Sequence, residues 1–382
     1  MKQRNWILSS LLVLLALTVA GCQSIGYYRQ AISGQMEMLS NQQPIPALIE
    51  DTNTSPKLKE KFRLILALRH FAQDRLNLPT GRHYLSYVDL HRSNAVWNVY
   101  AAPEFSLKPT SWWFPIVGSV TYRGYFSESA AEKYAKKMRD KGLDVYVGGV
   151  DAYSTLGWFN DPVLNTFIDD SERRLASLIF HELAHQRLFI SGDTDFNEAF
   201  ATAVAEEGLR RWLVEKNDSV ALQKYQTDLK RKKQFVDLIR TTRDQLDALY
   251  ESSSSKNNDR ESAEAVSATR ERKNRIPKTL RDDYARLRNE WNGYDGYDEW
   301  FEGPLNNAQL NTVATYYDLV PVFHQLIHED GGDLNEFFAH TKRFARMSKD
   351  QRHRTLAQVK VSGTNQFFAA PEPERKVADR AM

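Results

Sequence analysis

Residues Ser177–Phe200 read SLIFHELAHQRLFISGDTDFNEAF. His181 and His185 stand four apart, Glu182 follows the first of them, and Glu198 lies 13 residues beyond the second. On a helix, positions i and i+4 share one face, so both imidazoles can reach a single ion. The flanking Leu178-Ile179-Phe180 and Leu183-Ala184 are apolar, as a helix set into a core requires. Imidazole and carboxylate donors suit Zn²⁺, and a catalytic zinc site keeps one position open for water. From its place beside His181, Glu182 can approach that water without ligating the ion. It would take the proton as water attacks a carbonyl and return it to the leaving amine. The competing reading is a core helix whose two histidines are satisfied by hydrogen bonds.

A third ligand is needed. The pattern predicts a helix over Ser171–Ile190, a turn at Ser191-Gly192-Asp193 and a second helix over Asp195–Glu215. A short helix-turn-helix brings the second helix back against the first and offers Glu198 to the ion. The alternative is that Asp195-x-x-Glu198 is a capping box. Glu206 and Glu207, two turns further on, are the reserve ligands. Asp193 and Asp195 are candidates either to orient a ligating histidine through its other ring nitrogen or to act as turn and cap residues.

The chain has 382 residues, 42% hydrophobic and 26% charged, enough for a sizeable core. Its mean hydropathy of −0.55 excludes a polytopic membrane protein. Lys2 and Arg4 precede an apolar run, Ile7–Ala20, that is short for a spanning helix. The run ends in Leu17-Thr18-Val19-Ala20-Gly21-Cys22, which resembles the lipobox of bacterial lipoproteins. Residues 1–21 then form a signal peptide and Cys22 carries the lipid. Gln23 in the next position favours the outer membrane, with the body facing the periplasm. Cys22 is the only cysteine, so no intramolecular disulfide forms. Removing Lys2 and Arg4 leaves 49 basic and 49 acidic residues, and a neutral body gives no reason to expect nucleic acid as a partner.

Elsewhere the sequence predicts helices over Tyr27–Ser40, Ser55–Asn77 (Ser55 as N-cap, Pro56 in first position) and Ser127–Lys141. Two strands fall within His83–Ala102 and one at Asp144–Val150, with irregular strand and loop at Trp112–Phe126. Lys216–Asn289 reads as a hairpin of two long charged helices with a polar tip at Ser252–Arg260. The charges suit a solvated face, and the hairpin is also the candidate surface for a protein partner. Asn306–Met347 is helical, and residues 348–382 read as a loose tail. The expected domain is therefore residues 22–347, with the hairpin inserted at about 216–289.

HELAHQ followed by NEAFA resembles the zinc aminopeptidases and thermolysin-like peptidases, whose third ligand is a Glu on the following helix. The usual gap in those groups is longer. A wider resemblance is to a family of bacterial lipoproteins predicted to be zinc aminopeptidases. It covers roughly Gly26–Met347 and rests on WNVYAAPEFSLKPTSWWFPIVGSVTYRGYF, AYSTLGWFNDPVL, HELAHQRLFISGDTDFNEAFATAVAEEG and NNAQLNTVATYYDLVPVF. It implies an α+β, mostly helical, zincin-like metallopeptidase with a small sheet beside the HExxH helix and one zinc ion.

Such a site binds peptide along an edge strand. Ala152–Phe159 is in the right place in the chain, making Tyr153, Ser154, Thr155, Leu156 and Gly157 candidate substrate contacts; plain core packing is the alternative. The oxyanion needs a donor, and in the resembled aminopeptidases a Tyr beyond the ligands serves. Tyr316 and Tyr317 are the candidates here, with His324 as a substitute. His324 and His328 form a second i, i+4 pair without an adjacent glutamate. Two functions follow from different classes: a zinc peptidase acting on short peptides, aminopeptidase first and endopeptidase or dipeptidase next, or a catalytically silent envelope lipoprotein that binds or assembles a partner. Glu182 favours the first, since a structural metal site does not need it.

Overall fold

Ser55 caps its helix as its position predicts, its hydroxyl accepting from Leu58 N at 3.2 Å. The computed structural model describes residues 26–114, 118–152, 160–254 and 263–361. Along them the chain runs α1 (26–40), β1 (Gln43–Pro44), α2 (Ile45–Glu50), α3 (Pro56–Leu76), β2 (Ser86–Val88), β3 (Val96–Pro103), β4 (Trp112–Phe114), β5 (Gly118–Val120), β6 (Arg123–Tyr125), α4 (Glu128–Arg139), β7 (Leu143–Val150) and β8 (Val163–Leu164). It continues α5 (Asn165–Ile168), α6 (Glu172–Arg187), α7 (Thr194–Glu215), α8 (Ser219–Ser254), α9 (Ala263–Glu290), α10 (Asp298–Glu302), α11 (Asn307–Tyr317), α12 (Val320–Glu329), α13 (Leu334–Phe344) and α14 (Lys349–Ala357). The class is α+β and mostly helical. No described helix is long and apolar enough to cross a membrane.

Three cores hold the chain. The largest surrounds α6 and α7, and draws Phe62 and Ile65 of α3, Phe323 of α12 and Phe337 of α13 onto Ile179, Phe180, Phe196 and Phe200. α7 is buried on nearly every side, with small residues such as Ala199, Ala201, Ala203 and Ala205 letting its neighbours approach. A helix apolar all round belongs at the centre of a core rather than on its surface. The small sheet β1-β2-β8 shares this core through Val88, Val163 and Leu164. Its β2–β8 pair is parallel and its β1–β2 pair antiparallel.

The antiparallel sheet β6-β3-β7 has its own core with α4, made by Val99, Ala131, Ala135 and Val145. A third core lies between α8 and α9 and includes Phe235, Ile239, Leu280, Tyr284 and Trp291. The long hairpin is thus a packed layer as well as a charged surface. Lys273 joins it to Asp144 at the start of β7, at 2.6 Å.

Trp112–Phe126, expected as irregular strand and loop, supplies three short strands, β4, β5 and β6. One expectation is corrected. Residues 348–382, read as a loose tail, begin with a helix. Ser348 caps α14 by accepting from Gln351 N, and Arg352 and Leu356 are buried against the main core. Its Arg352 meets the buried Asp193, 159 residues away, a contact that local periodicity does not reveal.

Candidate metal centre

α6 is started by the Ser171 hydroxyl, which accepts from Arg174 N, and it buries Leu175, Ala176, Ile179, Phe180, Leu183 and Ala184. Burying that stripe leaves His181, Glu182 and His185 along the side that meets the start of α7. Leu188 ends the helix in an extended conformation. Gly192, at φ +80°, turns the chain back, a conformation that glycine adopts without strain.

The turn is then clamped by one side chain. Asn197 accepts from Ile190 N and donates to Ile190 O, both at 2.8 Å. The clamp fixes the first turn of α7 against the end of α6, so the short gap suffices to bring Glu198 to the histidines. His181 Nε2 lies 3.2 Å from Glu198 Oε2 and 3.2 Å from His185 Nε2, and His185 Nε2 lies 3.7 Å from Glu198 Oε2. For a tetrahedral ion with ligands at zinc distances, neighbouring ligand atoms sit about 3.3 Å apart. Three converging donor atoms at that spacing fit a metal ion. Among the described residues, His181, His185 and Glu198 are the group of three or more that could hold one.

The electrostatics agree with this convergence. Burial would push the Glu198 carboxyl up, but the adjacent His185 and His181 hold it well below the usual carboxylate range. For His185, burial works against the charged form, and the neighbouring Glu198 overcomes it and raises the imidazole. Glu182 is raised, chiefly by burial, with the two histidines acting in the opposite sense and Glu198 and Asp161 adding to the rise.

The structure decides between the two roles open to Asp193. The N-cap of α7 is Asp193, accepting from Phe196 N, so Asp195-x-x-Glu198 is not the capping box. Nor does Asp193 orient a ligating histidine. It is 1% exposed, and its carboxylate meets Arg352 Nε at 2.7 Å and His353 Nε2 at 2.9 Å. Burial opposes the charge on Asp193, yet the hydrogen bonds of His353 and Arg352 hold it below the usual range. His185 Nδ1 is buried with no hydrogen-bond partner among the described residues.

The reserve ligands are engaged elsewhere. Glu206 meets Lys232 Nζ and His324 Nε2, both at 2.7 Å, and Glu207 binds Arg210 and Arg211. Eight residues separate Glu206 from Glu198, about 12 Å along a helix. The Tyr317 ring lies under Lys232, 4.3 Å from its Nζ, on this second cluster. Tyr316 occupies the C-terminal turn of α11, and its side chain lies outside the described set. Tyr153, Ser154, Thr155, Leu156, Gly157 and Cys22 also lie outside the described residues.

Three features escaped the sequence reading. Asn197 clamps the turn, Arg352 and His353 hold Asp193, and Tyr84 is buried within the electrostatic reach of Glu182. The Tyr84 hydroxyl is pushed well up by burial first and then by Glu182 and Asp161. Its backbone is left-handed at φ +59°, and its N–H donates to Asp161 O at 2.8 Å. Only α14 had a readable signal: Ser348 and Gln351 have the spacing of a capping box.

A helix pair presenting two imidazoles, a carboxylate and an adjacent glutamate defines a candidate metal-dependent hydrolase centre. The chain belongs to the family described as "Putative aminopeptidase", whose model matches residues 26–356. No curated protein and no solved structure matches it.

Proposed function

We propose that the protein is a zinc-dependent peptidase, an aminopeptidase acting on short peptides, tethered through Cys22 to the periplasmic face of a bacterial outer membrane. The observation that carries the catalytic reading is the convergence of His181, His185 and Glu198 beside Glu182. The family description supports peptidase activity at a coarser level. The donor set, two imidazoles and one carboxylate, suits zinc with a position left for water. When bound, the ion would polarise the scissile carbonyl and make water acidic enough to attack near neutral pH.

The chain's own residues supply the rest. Glu182 accepts the proton from the attacking water and delivers it to the departing amine. Glu198 stays ionised and faces the two histidines. Tyr316, on the last turn of α11, is the proposed source of the oxyanion donor, the Tyr317 ring being engaged at Lys232.

The test joins metal analysis to a panel of free-amine and blocked peptides, with Glu182→Gln as the control. The expected result is one zinc per chain, hydrolysis of free-amine peptides, and loss of that hydrolysis in the variant with zinc retained. Bound zinc without hydrolysis of any peptide would favour the binding or assembly role. Cleavage of blocked peptides alone would remove the aminopeptidase assignment in favour of an endopeptidase.

A further inference from the structure

α1 packs on the body through one side only. Gly34 is pressed against Phe126, where a Cβ would fall 2.1 Å from the ring. Gln30 accepts from Phe126 N at 3.0 Å, Met38 is buried in the main core, and the Tyr27 ring lies 5.5 Å from that of Tyr125. Glu37 pairs with Arg92 at 2.9 Å. These contacts fix the helix's rotation.

The opposite side presents Tyr28, Ile32 and Met36 at i, i+4 and i+8, which are 43%, 63% and 56% exposed. Trp113 of β4, 68% exposed, is a further large apolar side chain in the same region. It is next in the chain to Phe114, whose ring lies 5.7 Å from that of Tyr27. These four are most of the large apolar side chains that the described residues expose. Scattered single apolar residues on a surface need no explanation, but a clustered stripe does.

The position of the stripe in the chain indicates what covers it. Tyr28 follows Cys22 by six residues, a span of about 20 Å even when fully extended. A lipid on Cys22 would therefore hold α1 at the bilayer surface. Tyr and Trp favour the boundary between hydrocarbon and water, where one end of the ring is apolar and the other wet. Arg29 is exposed on the same turn and suits an anionic headgroup.

We propose that the Tyr28–Ile32–Met36 face of α1, with Trp113, lies in the interface of a phospholipid bilayer, so that the body is seated on the membrane as well as tethered to it. A lipid on Cys22 sets proximity, and contact of this face with the interface would orient the body on the membrane. The inference uses Cys22 to set proximity and is independent of the catalytic reading.

The test uses the full chain, purified with its native N-terminus and reconstituted in phosphatidylethanolamine/phosphatidylglycerol vesicles. An environment-sensitive fluorophore is placed at Ile32→Cys, Met36→Cys or Trp113→Cys, with Lys278→Cys on the exposed hairpin as reference. The expected result is at least twofold stronger quenching by spin-labelled lipid at 32, 36 and 113 than at 278, and weaker quenching by aqueous iodide. Iodide quenching at all three sites equal to that at 278 would overturn the proposal. So would protection from both quenchers, which means that another copy or the chain's own N-terminal segment covers the face. Failure of the vesicles to retain the protein would also overturn it. Peptide hydrolysis is expected to be unchanged in all four variants, which separates this result from the catalytic one.

Discussion

Asn197 grips both backbone polar groups of Ile190, and that two-bond bridge is what turns the end of α6 into the start of α7. Glu198 is the next residue, so the clamp and the ligand move together. Asn197→Ala removes both bonds; the half-buried Ile190 N–H loses this partner while its carbonyl keeps Asp193 N, at a cost of about 1–3 kcal/mol. Asn197→Asp keeps only the acceptor. Chemical denaturation and zinc titration are expected to rank the proteins wild type, Asp, Ala in both stability and metal affinity. Equal metal affinity in all three would separate the clamp from the site.

Glu198 itself is expected to be indispensable to metal retention. In Glu198→Ala, zinc after dialysis should fall from one per chain to a small fraction, with the helices intact by circular dichroism. Stoichiometric zinc in this variant would remove Glu198 from the ligand set.

Arg352 and Asp193 form a buried pair, 3% and 1% exposed. Losing one partner of such a pair leaves an uncompensated buried charge, a cost of about 3–5 kcal/mol. Arg352→Met should therefore lower stability strongly. The double variant Asp193→Asn/Arg352→Met should recover part of the loss, because no charge is then stranded. A double variant as unstable as the sum of the two singles would show that the pair is not coupled.

Glu206 gives the protein an acid-sensitive element. Burial opposes its charge, but Lys232 and His324 pull the carboxyl from 4.5 down to about 2. A carboxyl lowered on folding adds stability above its unfolded value and loses it as pH falls through the folded one. The span corresponds to on the order of 3 kcal/mol. Wild type should be well above Glu206→Gln in stability at pH 6, and the gap should close as pH falls from 4.5 toward 2. Urea melts across that range would show a constant gap if the cluster were not responsible.

The residues legible in the sequence were those whose partners are close by in the chain. His181 and His185 share a face by helical geometry alone, and Gly192 marks the turn that returns Glu198. The cap role of Asp193 was one of its two readings, but its partners, Arg352 and His353, come from the far end of the chain and were not visible locally. The charges of Lys216–Asn289 fit a solvated face, yet Lys232 is half-buried and tied to Glu206. Hydropathy patterns show which residues are polar, not which polar residues find each other. Tyr84 was hidden for a similar reason, since its left-handed backbone and its neighbour Glu182 come from separate segments.

The contact between α14 and Asp193 also sets an order of events during synthesis. The residue that anchors the first turn of the ligand-bearing helix is number 352, and it leaves the ribosome long after His181, His185 and Glu198. Until it arrives, Asp193 has no guanidinium to meet in the core. The candidate metal centre is therefore completed near the end of translation, and a chain cut short before Ser348 carries His181, His185 and Glu198 without the brace behind them.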